Sequence, residues 1–435
     1  MKTGIRKITA LCLAGLFVLS LSACGNGGVP DDNVMIFEKD SQRVVTFFSP
    51  MEKTQPDADN VARSASEKTI TMAEERLGVT VNYITYTAED YRDKTYDEIA
   101  IERVRNNLDD LYLLNPDTIQ VLAEEDKLMD LSGLDSAKNL RDVVKMANVV
   151  NGKLVAIPQE VVAYGLFVNK DMFDRYHLEL PETPEDFLEC CRVFQENGIE
   201  TPVGANRWWL ETFVFAQAYA DLYNGGNMEA EIAALNSGEK KYSDYMRSGF
   251  MFLQTLIDCG YIDAQKAYVS EAIEGEGADF LAQKTPIVMA YWSAANAETA
   301  YGKPGFNMQV IGFPSSRGQM PVMAIPGYAV GIDAVHAEDA MKTLDIMLSD
   351  EALQVYAETN KVISPSKNVQ VDCIPALKPL NDRINENVFV LASNAGMKLE
   401  QWGNTCVIVR NLLNGASVEE CMAEFDRLQE EVLKK

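Results

Sequence analysis

Asn151-Gly152-Lys153-Leu154-Val155-Ala156-Ile157-Pro158, then Tyr164-Gly165-Leu166-Phe167-Val168, and then Thr183-Pro184-Glu185-Asp186-Phe187 mark the place where this 435-residue chain changes character. Asn151-Gly152-Lys153 reads as a turn between the apolar pairs of Val149-Val150 and Leu154-Val155, since Asn and Gly both tolerate positive φ. Tyr164 to Val168 is a further apolar strand. Thr183 is placed as a helix N-cap, with Pro184 at the first helical position and Asp186 three residues after the cap. Phe187, Cys190, Cys191 and Phe194 recur at helical spacing as one buried stripe, and Asn197-Gly198 ends it.

Towards the amino terminus the pattern is strand, helix, strand. Val44 to Phe48 is a short Val- and Phe-rich run followed by Ser49-Pro50. A helical stretch then stops at Leu77-Gly78, and Val79 to Tyr86 alternates like a strand. A second helix from about Tyr91 to Arg105, a strand at Leu111 to Leu114 and a third helix at Ile119 to Glu125 complete a βαβαβ order. That order predicts a parallel sheet with ligands at the carboxyl ends of its strands. Beyond the quoted stretch, helices are expected at about Leu210 to Leu222, Ser243 to Asp258 and Ala278 to Ala282. Strand signals return at Thr285 to Ala290, Met308 to Gly312 and Tyr328 to Ile332. The last hundred residues are helical, including Ala337 to Leu348 and Asp350 to Thr359. This alternation predicts an α/β protein of two lobes joined by several chain crossings; no internal repeat is visible.

The first residues read as an export signal. Lys2, Arg6 and Lys7 precede an apolar run from Ile8 to Leu21 that contains no acidic residue, too short and wrongly flanked for a permanent span. The run ends in Leu21-Ser22-Ala23-Cys24, which resembles the lipobox of bacterial lipoproteins. The resemblance implies cleavage before Cys24, a diacylglyceryl group on its thiol and further acylation, and two or three acyl chains anchor stably where one would be marginal. An ordinary signal peptide with a chance cysteine is the other reading. Gly25 to Asp31 form a flexible tether, and no later segment is long and apolar enough to span a bilayer.

The formal net charge is −26, more negative still once Lys2, Arg6 and Lys7 leave. It excludes binding of nucleic acid or anionic lipid through a general basic face. Of eight cysteines, Cys12 leaves with the signal and Cys24 is the anchor. Adjacent Cys190 and Cys191 in one helix read as free apolar-face thiols rather than a disulfide framework. With only His177 and His336 and no CxxC, there is no zinc-type cluster; oxygen-ligated metal stays open, and no cofactor is implied. GxSxG, HExxH and a Walker P-loop are all lacking.

In order and spacing, the residues resemble the extracellular solute-binding proteins of the maltose-binding type. One block runs from Asn151 to Pro158, Gly165-Leu166-Phe167-Val168-Asn169-Lys170-Asp171-Met172-Phe173 and Pro181 to Phe187, with Val168 in place of the usual tyrosine. Others are Phe280 to Trp292, Gly327 to Asp333, and Trp402 standing thirteen residues before Gly415. The resemblance implies a periplasmic-binding-protein-like fold with residues 1–23 as signal, 24–42 as tether, 43–160 plus 286–335 as one lobe and 161–285 plus 336–435 as the other. It implies hinges near Ile157 to Gly165, Pro286 to Trp292 and Gly331 to Ala337, closure on a small solute, and delivery to the permease subunits of an ABC importer by an outward-facing, lipid-anchored monomer.

A sugar offers apolar C–H faces and a rim of hydroxyls, so its site needs flat aromatics and short polar groups. The resemblance puts Trp208, Trp209, Trp292 and Trp402 at or near the cleft, although any one tryptophan taken alone is a core-packing residue. Asn115 and Asp117 follow the third strand, where the family carries a sugar-binding carboxylate; a helix cap is the alternative for Asp117. Ser49 and Met51 follow the first strand. Glu211 and Arg207 flank the tryptophan pair, as ligand contacts or as a surface ion pair. Tyr164 stands at the crossing, and Val162 replaces a family glutamate, which weakens any case for maltose itself. No residue is assigned a catalytic role. A secreted glycosidase, a sensory or adhesive lipoprotein, and a polyamine or amino acid ligand are the competing readings.

Overall fold

A computed structural model describes residues 43–50, 64–86, 94–207, 209–270, 274–289, 304–371 and 374–434. Its first sheet grows from the Val- and Phe-rich strand Arg43–Ser49, which pairs in parallel with Val79–Thr85 from Arg43↔Val79 to Ser49↔Thr85. The helix between them, Ala65–Leu77, starts where the Ser64 hydroxyl accepts the Glu67 N–H and stops at Gly78 in the left-handed conformation. Leu111–Leu114 adds in parallel on the other side of the first strand, and Gly327–Val330 closes the sheet antiparallel to it. The helix Tyr96–Arg105, between Val79–Thr85 and Leu111–Leu114 in the chain, is fixed by a capping box of Thr95 and Glu98,. The carboxyl ends Ser49, Thr85 and Leu114 therefore share one edge, as the βαβαβ reading expects.

The second sheet is ordered Met308–Ile311, Leu166–Asn169, Ile287–Met289, Val203–Gly204. Leu166, Phe167, Val168 and Asn169 are all fully buried, which explains why the segment reads as a continuous apolar run rather than an alternating one. The helix Pro184–Glu196 carries the capping box expected at Thr183 and Asp186 and buries Phe187, Cys190, Cys191 and Phe194. Phe187 meets the rings of Phe213 and Phe252 edge to face,. The helices Glu211–Ala218 and Tyr242–Asp258 close on each other through Gly249, where an added Cβ would stand 2.5 Å from the Val214 carbonyl oxygen.

A third, three-stranded sheet of Val390–Leu391, Val322–Ala324 and Val162–Tyr164 lies at the junction. Val162–Tyr164 passes into the second sheet through Gly165, whose missing side chain leaves room for the Ile311 carbonyl oxygen. Val322–Ala324 passes into the first sheet through Ile325 and Pro326. Val149–Val150 and Lys153–Leu154 form the expected hairpin, with Asn151 and Gly152 at φ 51° and 77°,.

Strand pairing divides the chain differently from the expected 43–160 plus 286–335 and 161–285 plus 336–435. Ile287–Met289 and Met308–Ile311 pair with Leu166–Asn169, so they belong to the second sheet. The helices Ala337–Met347 and Asp350–Asn360 pack on Ala65–Leu77 beside the first sheet. Hydropathy marks where a strand lies but not which strand it pairs with, so a boundary drawn from sequence order slips at each crossing. Helix bounds also differ from expectation: the helix expected from about Tyr91 starts at Tyr96, and the one expected at Ala278 to Ala282 spans Glu274–Leu281. The helix anticipated at Leu210 to Leu222 is interrupted at Tyr219 into Glu211–Ala218 and Ala220–Asn224, and the one anticipated at Ile119 starts earlier, at Pro116.

Cys190, Cys191, Cys406 and Cys421 are buried free thiols and Cys259 is an exposed one. Burial pushes the Cys190 thiol up to about 12 and that of Cys421 to about 11, so both pack as small apolar groups. Among the described residues no helix is long and apolar enough to cross a membrane. Cys24 and the expected signal segment lie outside the described residues.

Candidate functional site

Where the strand Leu111–Leu114 ends, Asn115 takes the N-cap position and Pro116 the first turn of the helix Pro116–Glu124. Pro fits there because that position needs no N–H donor. This fixes Asp117 at the carboxyl edge of the first sheet. The Asn115 side chain does not cap its own helix. Its Nδ2 donates to the Asp97 carboxylate at 3.0 and 3.2 Å, and Thr118 Oγ1 donates to Asp97 Oδ1 at 2.6 Å.

Asp117 reaches across to a different element. Its carboxylate accepts from Ser393 Oγ and, at 2.9 Å, from the Gly403 N–H. Gly403 is the second residue of the helix Trp402–Leu413, so Asp117 caps a helix that is not its own, satisfying a donor left free in that first turn. Glu400 stands beside it, so close that an added Cβ on Gly403 would lie 2.5 Å from Glu400 Oε1. Burial first, and then the Asp117 charge, push the Glu400 carboxyl up to about 7. Burial raises Asp117 as well, against the hydrogen bonds from Ser393 and Gly403. Two carboxyls in contact cannot both ionise cheaply, so the pair holds a proton near neutral pH.

An aromatic wall lines the same cleft as these acids. Tyr164 stacks on Trp209 with ring centres 5.3 Å apart and 26° between planes. Trp402 lies 5.4 Å from Tyr164 and 6.1 Å from Trp209, the latter edge to face. Phe215 backs Trp402 at 6.0 Å. Tyr164 comes from the junction strand, Trp209 from the turn before the helix Glu211–Ala218, and Trp402 from the first turn of its helix. Wall and acids enclose a cleft of about 460 Å3, floored by Val162, Ala324 and Pro326, a size suited to a small organic ligand. Two larger grooves, about 590 Å3 beside Arg141 and Ile363 and about 500 Å3 beside Gly204 and Lys284, have no aromatic ring among their lining residues.

Five residues expected from sequence thus meet in one cleft: Asn115, Asp117, Tyr164, Trp209 and Trp402. Ser49 does not line it. It is fully buried at the end of its strand, and its carbonyl accepts the Tyr86 N–H at 3.1 Å. Glu211 does not line it either, being fully buried behind the wall, where desolvation pushes its carboxyl up to about 8 against the favourable influence of Cys406 and Arg410. Arg207 donates to the Tyr268 carbonyl at 3.3 Å. Met51, Trp208 and Trp292 lie outside the described residues. Sequence reading missed Asp97, Ser393 and Glu400. Glu400 alone carried a signal, standing two residues before Trp402.

Residues 60–354 match the family model of the bacterial extracellular solute-binding proteins. No curated protein matches the chain by sequence. Among solved structures, a family 1 extracellular solute-binding protein from Bifidobacterium longum subsp. infantis superposes with a TM-score of 0.70 at 17% identity, covering 90% of this chain and 99% of that one. The binding protein MsmE of Bacillus subtilis, in an open conformation, gives 0.68 at 16% identity, with 90% and 98% covered. RafE from Streptococcus pneumoniae gives 0.66 at 16% identity, with 90% and 98% covered, and RafE has also been solved in complex with raffinose. At these identities the structures speak for the fold, and the family match speaks for kinship. The α/β architecture is that of the periplasmic-binding-protein-like fold, and this chain belongs to the family of bacterial extracellular solute-binding proteins.

Proposed function

We propose that the chain is the lipid-anchored solute receptor of an ABC importer, that it binds a carbohydrate without altering it, and that two lobes close on the sugar. The observation that carries the reading is the pairing of a three-ring wall with short polar groups in one cleft. Flat rings cover the C–H faces of a sugar, and carboxylates and Asn115 serve its hydroxyls. The relative RafE binds raffinose, which fits the same chemistry. Lobe division follows the two larger sheets, with the junction sheet as hinge; contacts made from both sides stabilise the closed state, which the permease subunits recognise. The protein works as a monomer on the outer face of the cell membrane.

A thermal-shift screen of mono- and oligosaccharides, amino acids and polyamines tests the ligand class. At a hundredfold excess over Kd, a bound ligand adds about 2.7 kcal/mol of stability, read as a rise of several degrees in Tm. A carbohydrate is expected to give that rise; a response to amino acids alone would rule the carbohydrate out. For the anchor, Cys24→Ser is expected to move the protein from the membrane fraction into the medium, and retention of the variant on membranes would contradict lipidation at that thiol.

A further inference from the structure

The charge of the cleft is one-sided. Among its described lining residues, Asp97, Asp117 and Glu400 are carboxylates and none is Lys, Arg or His. The donors that hold Asp97 are the neutral Asn115 amide and Thr118 hydroxyl. Those that hold Asp117 are the Ser393 hydroxyl and the Gly403 N–H. Asp117 and Asp97 both act on Glu400, while Arg410 acts on Glu211 and Cys406 and is not among the lining residues. Under a neutral sugar the Asp117–Glu400 pair has to keep its shared proton, with the Asp97 charge beside it,. A cation would lift that requirement, and the ring faces beside the pair attract positive charge as well. Among the described residues no group of His, Cys, Asp and Glu is arranged to hold a metal ion, so the positive charge has to come with an organic solute. A flat wall favours a ring over a linear amine, because only a ring uses its area.

We infer that the solute is an aminated sugar, a hexosamine unit seated against Trp402 with its protonated amine between Asp117 and Glu400. The inference rests on the reading of this cleft as a carbohydrate site and narrows it. Arrival of the ammonium displaces the proton that the Asp117–Glu400 pair holds, and that proton passes to the buffer.

The test is calorimetric titration at pH 7 with glucosamine, galactosamine, mannosamine and the β-1,4-linked glucosamine trimer, each beside its N-acetylated counterpart. The amine form is expected to bind at least tenfold tighter in at least one pair. Its binding enthalpy should change with the ionisation enthalpy of the buffer, and Glu400→Gln should reduce the preference several-fold. Equal or tighter binding of every acetylated form overturns the inference and leaves the carbohydrate reading standing. Spermidine bound as tightly as the best amino sugar also overturns it, in favour of a linear amine. If no sugar binds, in this set or in the wider screen, both readings fall.

Discussion

Replacing Trp402 with alanine is expected to weaken solute binding by about a hundredfold, measured by calorimetric titration with the sugar selected in the thermal screen. The ring contributes on two counts. Covering an aromatic face removes apolar surface from water, worth roughly 2 kcal/mol, and ring contacts add about 1 kcal/mol beyond area; each 1.4 kcal/mol is tenfold in Kd. Trp402 also leans on Tyr164, Trp209 and Phe215, so its loss loosens the wall as well as removing one platform. Because the ring is only partly buried, the variant should still fold cooperatively. An unchanged Kd in a folded Trp402→Ala protein would remove this side chain from the site.

The second large effect concerns stability against pH. Glu211 is fully buried, and its carboxyl is pushed up to about 8 in the folded protein, whereas the unfolded chain titrates near 4.5. Between those values the unfolded state gives up the proton and the folded state keeps it, so stability is fully present below about pH 4.5 and drains away as pH rises through 8. For a shift of this size the loss is on the order of 5 kcal/mol. Glu160 and Glu400, each raised to about 7, act in the same direction. In Glu211→Gln the side chain stays neutral at every pH, so this variant should match the parent at pH 5 and exceed it at pH 8 in urea unfolding. A parallel decline of both proteins from pH 5 to pH 8 would show that Glu211 does not carry the effect.

Much of the fold was legible because its signals are local. The Thr183 capping box, the Leu77-Gly78 stop and the Asn151-Gly152 turn each depend on a few adjacent residues, and each forms as read. The cleft was legible in part for a related reason. Asn115 and Asp117 follow directly from the end of a strand that the alternation located. What escaped depends on partners distant in sequence. Ser49 reads as following the first strand and lining the cleft, but it is the last residue of that strand, paired with Thr85 and fully buried. Asp117 was weighed as the cap of its own helix, whereas it caps Trp402–Leu413, 286 residues later in the chain. Ser393 meets Asp117 from the loop that follows Val390–Leu391, and nothing in the local sequence around Ser393 announces that meeting.

Everything proposed for this protein depends on a sugar resting unaltered on the Tyr164, Trp209 and Trp402 rings. Calorimetric titration of the parent protein and of Trp402→Ala, followed by chromatographic recovery of the sugar, tests it most directly. One sugar is expected to bind per chain and to be returned chemically unchanged, with affinity lost when Trp402 is removed. Cleavage of the sugar by the parent protein, or saturable binding that is indifferent to Trp402, would contradict it.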